Sequence, residues 1–180
     1  MESTRGAIVS LELLLDADSE ERIRAEWQVL ADAGLSSLAA HTSPSNRPHI
    51  TLLVRPSISP LTRADLAAVV ELPMPVTLGD PVLFGAGDRR VLARSVVPSR
   101  ELLGLHAALH ALAGDGAPDA AHTRPGEWTP HVTLARRIRL DALPKALTLL
   151  DETHSSAPPA EARSLRRWDA ASATVTEMLG

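Results

Sequence analysis

The sequence predicts an α+β fold made of two related lobes, each an antiparallel sheet with helices on the outside, around a central cleft. The first observation is a repeat: residues 48–52 read Pro-His-Ile-Thr-Leu, and residues 130–134 read Pro-His-Val-Thr-Leu. The second is the order of predicted elements, strand–helix–strand–helix–strand and then strand–helix–strand–helix–strand–strand. A repeated motif within a repeated order of elements indicates an internal duplication. We therefore expect lobes related by an approximate two-fold axis.

The first half begins with an apolar run at residues 7–15, rich in Val, Ile and Leu, which predicts a buried strand. A helix with apolar residues along one face follows and ends at Gly34. Residues 41–48 contain two prolines and are expected to form a loop. A strand at 49–54 and a helix at 62–70 complete this half.

The second half repeats the pattern with one strand more. Its predicted elements are strands at 76–84 and 90–97, a leucine-rich helix at 99–113, a strand at 131–138, a helix from Asp141, and terminal strands at 160–168 and 171–178. No polar linker is long enough to separate independent domains. Residues 1–180 are therefore expected to form one domain, with lobes at 1–75 plus the C-terminal strands and at 76–160.

The composition is that of an ordinary globular protein. Of 180 residues, 44% are hydrophobic and 22% are charged, the net charge is −4, and cysteine is absent. The acidic balance disfavours a long nucleic acid as ligand, and the lack of cysteine excludes disulfides, thiolate metal sites and a cysteine nucleophile. No membrane span or cleavage-site pattern is recognisable near the start. We expect a cytoplasmic protein with no membrane contact and no obligate protein partner.

The repeated motif places two polar side chains together on each of two strands. Residues two apart on a strand share a face, so His49 points with Thr51, and His131 with Thr133. If the lobes are related by a two-fold axis, both pairs face the cleft. One imidazole can then act as a neutral base and the other as a protonated acid, while the hydroxyls contact phosphoryl oxygens. This set suits in-line displacement at phosphorus without a metal or other cofactor.

Both segments match the His-x-Thr-x signature, and the chain resembles the two-histidine (2H) phosphoesterases in their bacterial 2′-5′ RNA ligase-like branch. The most specific match is the hexamer at residues 131–136, His-Val-Thr-Leu-Ala-Arg. The resemblance implies a bilobal fold that hydrolyses cyclic phosphodiesters, such as an RNA 2′,3′-cyclic phosphate, without a metal. It also implies that some members join or cleave 2′-5′ linkages. Carried over, His49 and His131 are the acid/base pair and Thr51 and Thr133 contact the phosphate.

Three further residues are candidate substrate contacts. Arg136 matches an arginine that the resemblance assigns to phosphate binding, but its odd spacing from His131 turns it away in a regular strand unless a bulge intervenes. Arg55, at even spacing from His49, is favoured by strand geometry alone. Trp128 is the preferred platform for stacking a base, with a core position as the alternative.

The chain departs from the RNA ligase-like pattern in ways that favour a small ligand. The first motif is followed by Leu-Val-Arg-Pro at residues 53–56, where that branch often has a Phe-Leu-Gly-like segment. Aromatic residues make up only 2% of the chain. With the acidic net charge, these features favour a small cyclic nucleotide over RNA-length substrates, although an RNA 2′,3′-cyclic phosphate end stays a candidate partner.

The remaining histidines have several interpretations. His106 and His110 have the spacing of a two-histidine metal face, but no acidic residue completes the pattern, so exposed positions are favoured. His41 and His122 occupy equivalent places in the repeat and either line the cleft or cap loops. Two other functions stay open: a non-catalytic module that binds nucleotides or RNA ends, and a metal-dependent hydrolase.

Overall fold

A computed structural model describes residues 8–153 and 159–180, so Ala7, the predicted start of the first strand, lies outside the described residues. Eight strands within these ranges form one antiparallel sheet. They are β1 (Val9–Leu15), β2 (His49–Arg55), β3 (Met74–Val76), β4 (Leu78–Phe84), β5 (Arg89–Val96), β6 (His131–Arg139), β7 (Ala160–Asp169) and β8 (Thr174–Leu179). The helices are α1 (Ala17–Asp32), α2 (Arg63–Ala67), α3 (Arg100–Ala113) and α4 (Leu143–Thr153).

The strand order is β3-β7-β1-β2-β6-β5-β4, and β8 also pairs with β7. The two motif strands, β2 and β6, are therefore neighbours at the centre of the sheet, where Ile50 pairs with Val132. Strands β1, β7 and β3 lie on one side of this central pair and β5 and β4 on the other. The predicted α+β class with two related antiparallel halves is confirmed.

Helices α1 and α3 begin at side-chain caps. Asp16 accepts a hydrogen bond from the Ser19 amide at 2.9 Å and so caps the start of α1. Ser99 accepts one from the Leu102 amide at 3.2 Å, at the predicted start of α3. Gly34 follows α1 with φ +74°, a left-handed conformation that glycine adopts without steric cost.

The core lies between the helices and one face of the sheet, and it is mainly aliphatic. Fully buried side chains of this core include Leu11, Leu13, Leu30, Ile50, Leu52, Leu53, Leu92, Leu102, Leu109, Val132 and Leu134. Trp27 of α1 adds the one large aromatic group among the fully buried side chains described. No described helix is both long enough and apolar enough to cross a membrane.

Both motif strands carry a bulge at the same place in the repeat. Leu11 lies opposite Leu53 but Glu12 lies opposite Thr51, which leaves Leu52 without a partner on β1. Across the sheet, Leu92 lies opposite Ala135 but Ala93 lies opposite Thr133. Leu134 is therefore the extra residue of β6. Because a bulge inserts one residue, it reverses the alternation of faces in the residues that follow.

Candidate active site

The four side chains of the two motifs lie together on the sheet face opposite the core. His49, Thr51, His131 and Thr133 are all partly exposed, whereas Ile50 and Val132 between them are buried. Extending the antiparallel Ile50–Val132 pair by one residue in each direction places His49 opposite Thr133 and Thr51 opposite His131. Each histidine therefore lies beside the threonine of the other motif.

The two imidazoles are held by the same hydrogen bond. Nδ1 of His49 lies 2.7 Å from the carbonyl oxygen of Arg47, and Nδ1 of His131 lies 2.8 Å from that of Thr129. A carbonyl oxygen can only accept, so each Nδ1 carries the proton and donates. Each Nε2 is then the atom that can take or give a proton.

The segments that supply these carbonyl groups are themselves anchored. Arg47 forms an ion pair with Glu20 of α1, with Nη2 and Oε2 2.6 Å apart. On the other side, the carbonyl oxygen of Pro130 accepts a hydrogen bond from the Val96 amide at 2.9 Å. Both contacts fix the chain immediately before a motif strand, and so they fix the ring orientations.

Glu12 is a member of the site that sequence reasoning missed. Its Oε1 lies 3.7 Å from Nε2 of His49 and accepts a hydrogen bond from Ser10 Oγ at 2.6 Å. Its Oε2 accepts one from Nε of Arg166 at 2.8 Å. Burial alone raises the pKa of Glu12, but the nearby His49 and Arg166 and the hydrogen bonds outweigh it, and the net pKa is lowered. The available signal was an acidic residue within an apolar run.

His131 has a different environment. Burial lowers the pKa of His131, its bond to Thr129 partly offsets this, and the nearby His122 and His49 lower the pKa further. Its ring contacts Phe84, with centroids 4.5 Å apart and ring planes tilted by 40°. Phe84 is partly exposed and was predicted only as the end of a strand.

Arg55 does not reach this face, so the prediction from even spacing is wrong. The bulge at Leu52 reverses the alternation, and Arg55 lies opposite Val9 on the core side. It is 6% exposed, and its Nε lies 2.7 Å from Oδ1 of Asp119. Its Nη1 donates to the carbonyl oxygen of Gly114 at 2.7 Å. These contacts make Arg55 a structural residue that ties β2 to the loop after α3.

Arg136 is placed differently by the equivalent bulge. Ala135 lies opposite Leu92 on the core side, and the alternation of faces directs the next residue toward the face that carries His131 and Thr133, just before a second register shift that precedes Ile138. Arg136 is exposed and forms no ion pair or hydrogen bond with another described residue. The expectation that a regular strand would turn it away fails because the strand is not regular.

Trp128 is partly buried, and its ring stacks on a histidine of α3. Its ring is parallel to that of His106 within 5°, with centroids 4.0 Å apart, and it packs against the core. Its Nε1 donates to the carbonyl oxygen of Thr51 at 3.0 Å. Trp27 makes the matching bond to the carbonyl oxygen of Thr133, also at 3.0 Å. The two indoles therefore satisfy equivalent carbonyl groups beside the two bulges.

The other histidines divide into buried and exposed pairs. His106 and His110 are 3% and 6% exposed, so their predicted exposure is wrong. Nε2 of His106 bonds the carbonyl oxygen of Thr123 at 3.0 Å, and Nε2 of His110 bonds that of Leu52 at 3.1 Å. His41 and His122 are exposed, at or beside short 3₁₀ turns. Of these two, His122 is near enough to His131 to influence its charge.

Comparison with known families agrees with this geometry. The model of a family described as the 2′-5′ RNA ligase superfamily matches residues 13–178. The chain belongs to this superfamily. Its resemblance to the 2H phosphoesterases is thereby confirmed, and the membership supports a phosphodiesterase activity.

A solved structure shows a similar fold at low identity. Usb1 of Kluyveromyces marxianus is 12% identical, with a TM-score of 0.52 over 96% of this chain and 98% of that one. The structure of the same protein with uridine monophosphate is 11% identical, with a TM-score of 0.49 over 97% and 98% of the two chains. No curated protein sequence matches the chain significantly.

Proposed function

We propose that this 2′-5′ RNA ligase superfamily member is a metal-independent cyclic phosphodiesterase. It opens a 2′,3′-cyclic phosphate, or a related cyclic nucleotide or 2′-5′ phosphodiester, to a phosphomonoester. One observation carries the proposal: His49 and His131 lie on one sheet face, and each has Nδ1 committed to a backbone carbonyl group. Both Nε2 atoms are left for proton transfer at the same phosphorus.

The chemistry needs only the groups described. A water oxygen forms a bond to phosphorus while the bond from phosphorus to one ribose oxygen breaks. One imidazole takes the proton from the water, and the other gives a proton to the departing oxygen. The hydroxyls of Thr51 and Thr133 donate to the oxygens that stay on phosphorus.

The charges around the site favour a ligand with a single phosphate group. Arg47, Arg55 and Arg166 are committed to Glu20, Asp119 and Glu12. Arg136 is exposed close to the second motif. No carboxylate in the part of the chain that the structure describes pairs with it. Phe84, partly exposed beside His131, offers an aromatic surface for one base.

The test is hydrolysis of nucleoside 2′,3′-cyclic phosphates by the purified protein with a chelator present. His49→Ala and His131→Ala should each lower kcat by about 10²–10⁴, the usual contribution of general acid or base catalysis. His41→Ala, which removes an exposed loop imidazole, is the matched control and should keep full activity. Full activity in either motif variant would refute the mechanism.

Two other outcomes point elsewhere. Saturable nucleotide binding without product after long incubation would indicate the non-catalytic module. Product only from 2′-5′ dinucleotides, or ligation of RNA ends, would move the substrate class within the superfamily. Comparing nucleoside 2′,3′-cyclic phosphates, ADP-ribose cyclic phosphate and 2′-5′ dinucleotides, with product regiochemistry, separates these outcomes.

A further inference from the structure

The two halves of the site differ at one pair of equivalent positions. Glu12 lies opposite Thr51 on β1, and Ala93 lies opposite Thr133 on β5. Glu12 and Ala93 therefore occupy equivalent positions, each opposite the threonine of one motif. The first half therefore has a carboxylate beside its histidine where the second half has a methyl group.

Glu12 is built into the sheet as a fixed negative charge. The side chain is 4% exposed, and Arg166, which holds it, is 5% exposed. Arg166 also donates through Nη1 to the carbonyl oxygen of Ser45 at 2.9 Å, so a second hydrogen bond holds its guanidinium group in place. Ser10 donates to the oxygen nearest His49. A carboxylate held this rigidly favours the imidazolium form of the neighbouring ring.

The charged groups that face His49 come from three neighbouring strands. Glu12 of β1 is the anion, Arg166 of β7 is neutralised by it, and His131 of β6 is the other imidazole. Arg47, which precedes β2, is paired with Glu20 of α1 and also lies near Glu177 of β8. The groups near His131 are the uncharged ring of Phe84 and the imidazoles of His49 and His122.

We propose that Glu12 is a positioning residue that makes the two histidines unequal, with His49 as the acid and His131 as the base. This inference rests on the proposed phosphodiesterase function. His131 Nε2 takes the proton from water as the oxygen–phosphorus bond forms. His49 Nε2 gives its proton to the ribose oxygen as the bond from phosphorus to that oxygen breaks. Proton exchange with solvent then restores both rings.

The direct test follows ring protonation by NMR in protein with isotope-labelled histidine, and it needs no turnover. In the unmodified chain, His131 should lose its proton at lower pH than His49. In Glu12→Gln the midpoint of the His49 titration should move down by about one pH unit or more, because a neutral amide replaces the nearby anion. His131 should move by much less.

Glu26→Gln is the matched control because it also breaks a buried carboxylate–arginine pair. Glu26 and Arg94 are 5% and 3% exposed, lie on the core side, and have Oε1 and Nη2 2.8 Å apart. This variant should leave both ring titrations unchanged. If Glu12→Gln does not fold, Glu12→Asp is the second variant: it keeps the charge but draws it away from His49, so the His49 titration should move in the same direction by a smaller amount.

Kinetics supply the second readout. For Glu12→Gln, the alkaline limb of the kcat/KM profile should move to lower pH by about one unit, which costs about tenfold in rate on that limb. A purely structural role would lower the rate equally at all pH values. The proposal is overturned if His49 titrates at or below the pH of His131, or if Glu12→Gln leaves its titration unmoved. Absence of turnover, with the titrations as expected, would instead refute the proposed function.

Discussion

Strands β2 and β6 carry the same motif, and the contacts that orient their imidazoles are the same. In each, Nδ1 donates to the carbonyl group two residues earlier. In each, a bulge follows the threonine, and that threonine's carbonyl group accepts an indole N–H. The duplication therefore matches in the hydrogen bonds that orient the two rings and in the indole bonds beside the two bulges.

The surroundings of the two strands differ in charge. Glu12 faces the first motif where Ala93 faces the second. After the bulge, Val54 of β2 corresponds to Arg136 of β6, and buried Arg55 corresponds to exposed Arg137. Matching geometry therefore does not imply matching chemistry, since electrostatics can make two similarly held histidines unequal.

The largest expected difference in stability lies at Arg55 and Arg137. Arg55→Ala leaves Asp119 without its cation and two carbonyl groups without a donor in a buried site. We expect a loss of about 3 kcal/mol in the free energy of unfolding, measured by urea denaturation. Arg137→Ala, at the equivalent exposed position, should cost less than about 0.5 kcal/mol. Equal losses would contradict the different placement of the two residues.

A second comparison concerns the equivalent helices α1 and α3. Counted from their caps, Ile23 of α1 corresponds to His106 of α3, and both are buried. Burial, with a contribution from the neighbouring His110, lowers the pKa of His106 to about 4. In the unfolded chain the pKa is about 6.5, so between these values the unfolded state binds more protons. Stability should therefore fall as pH drops from about 6.5 to about 4, and this contribution should level off below.

The substitution His106→Ile gives α3 the residue that α1 has at the equivalent position. It should reduce the pH dependence of unfolding between pH 6.5 and 4 by up to about 3 kcal/mol, the value of this shift. Stability at pH 7 should fall slightly, because Thr123 loses a hydrogen bond. Exposed His41→Ala should leave the pH dependence as it was. An unchanged slope in His106→Ile would show that His106 is not the titrating group.

Local pattern was sufficient to predict the fold class and the histidine pairs. The alternation of apolar and polar residues predicts that His49 shares a face with Thr51, and His131 with Thr133, without any knowledge of neighbouring strands. The caps and leucine spacing of α3 are likewise local. These features depend on residues within a few positions of each other.

What could not be predicted depends on pairing between distant segments. The bulges exist only relative to β1 and β5, so the faces of Arg55 and Arg136 could not be assigned by counting. Glu12 meets His49 because β1 pairs with β2, more than 30 residues away in the chain. His110 is buried because it contacts β2 through the carbonyl group of Leu52. A periodic helix pattern does not show which polar residues its partners cover.

The smallest expected effect tests whether the second bulge directs a cation to the phosphate. Arg136→Ala should raise KM for a nucleoside 2′,3′-cyclic phosphate about fivefold with kcat nearly unchanged, since an exposed charge–phosphate contact contributes about 1 kcal/mol to binding. The effect should shrink at high salt, because exposed charges are screened. Arg137→Ala, the adjacent exposed arginine, is the control and should keep the original KM. Equal changes in both variants would show that general positive charge, and not the turn made by the bulge, attracts the ligand.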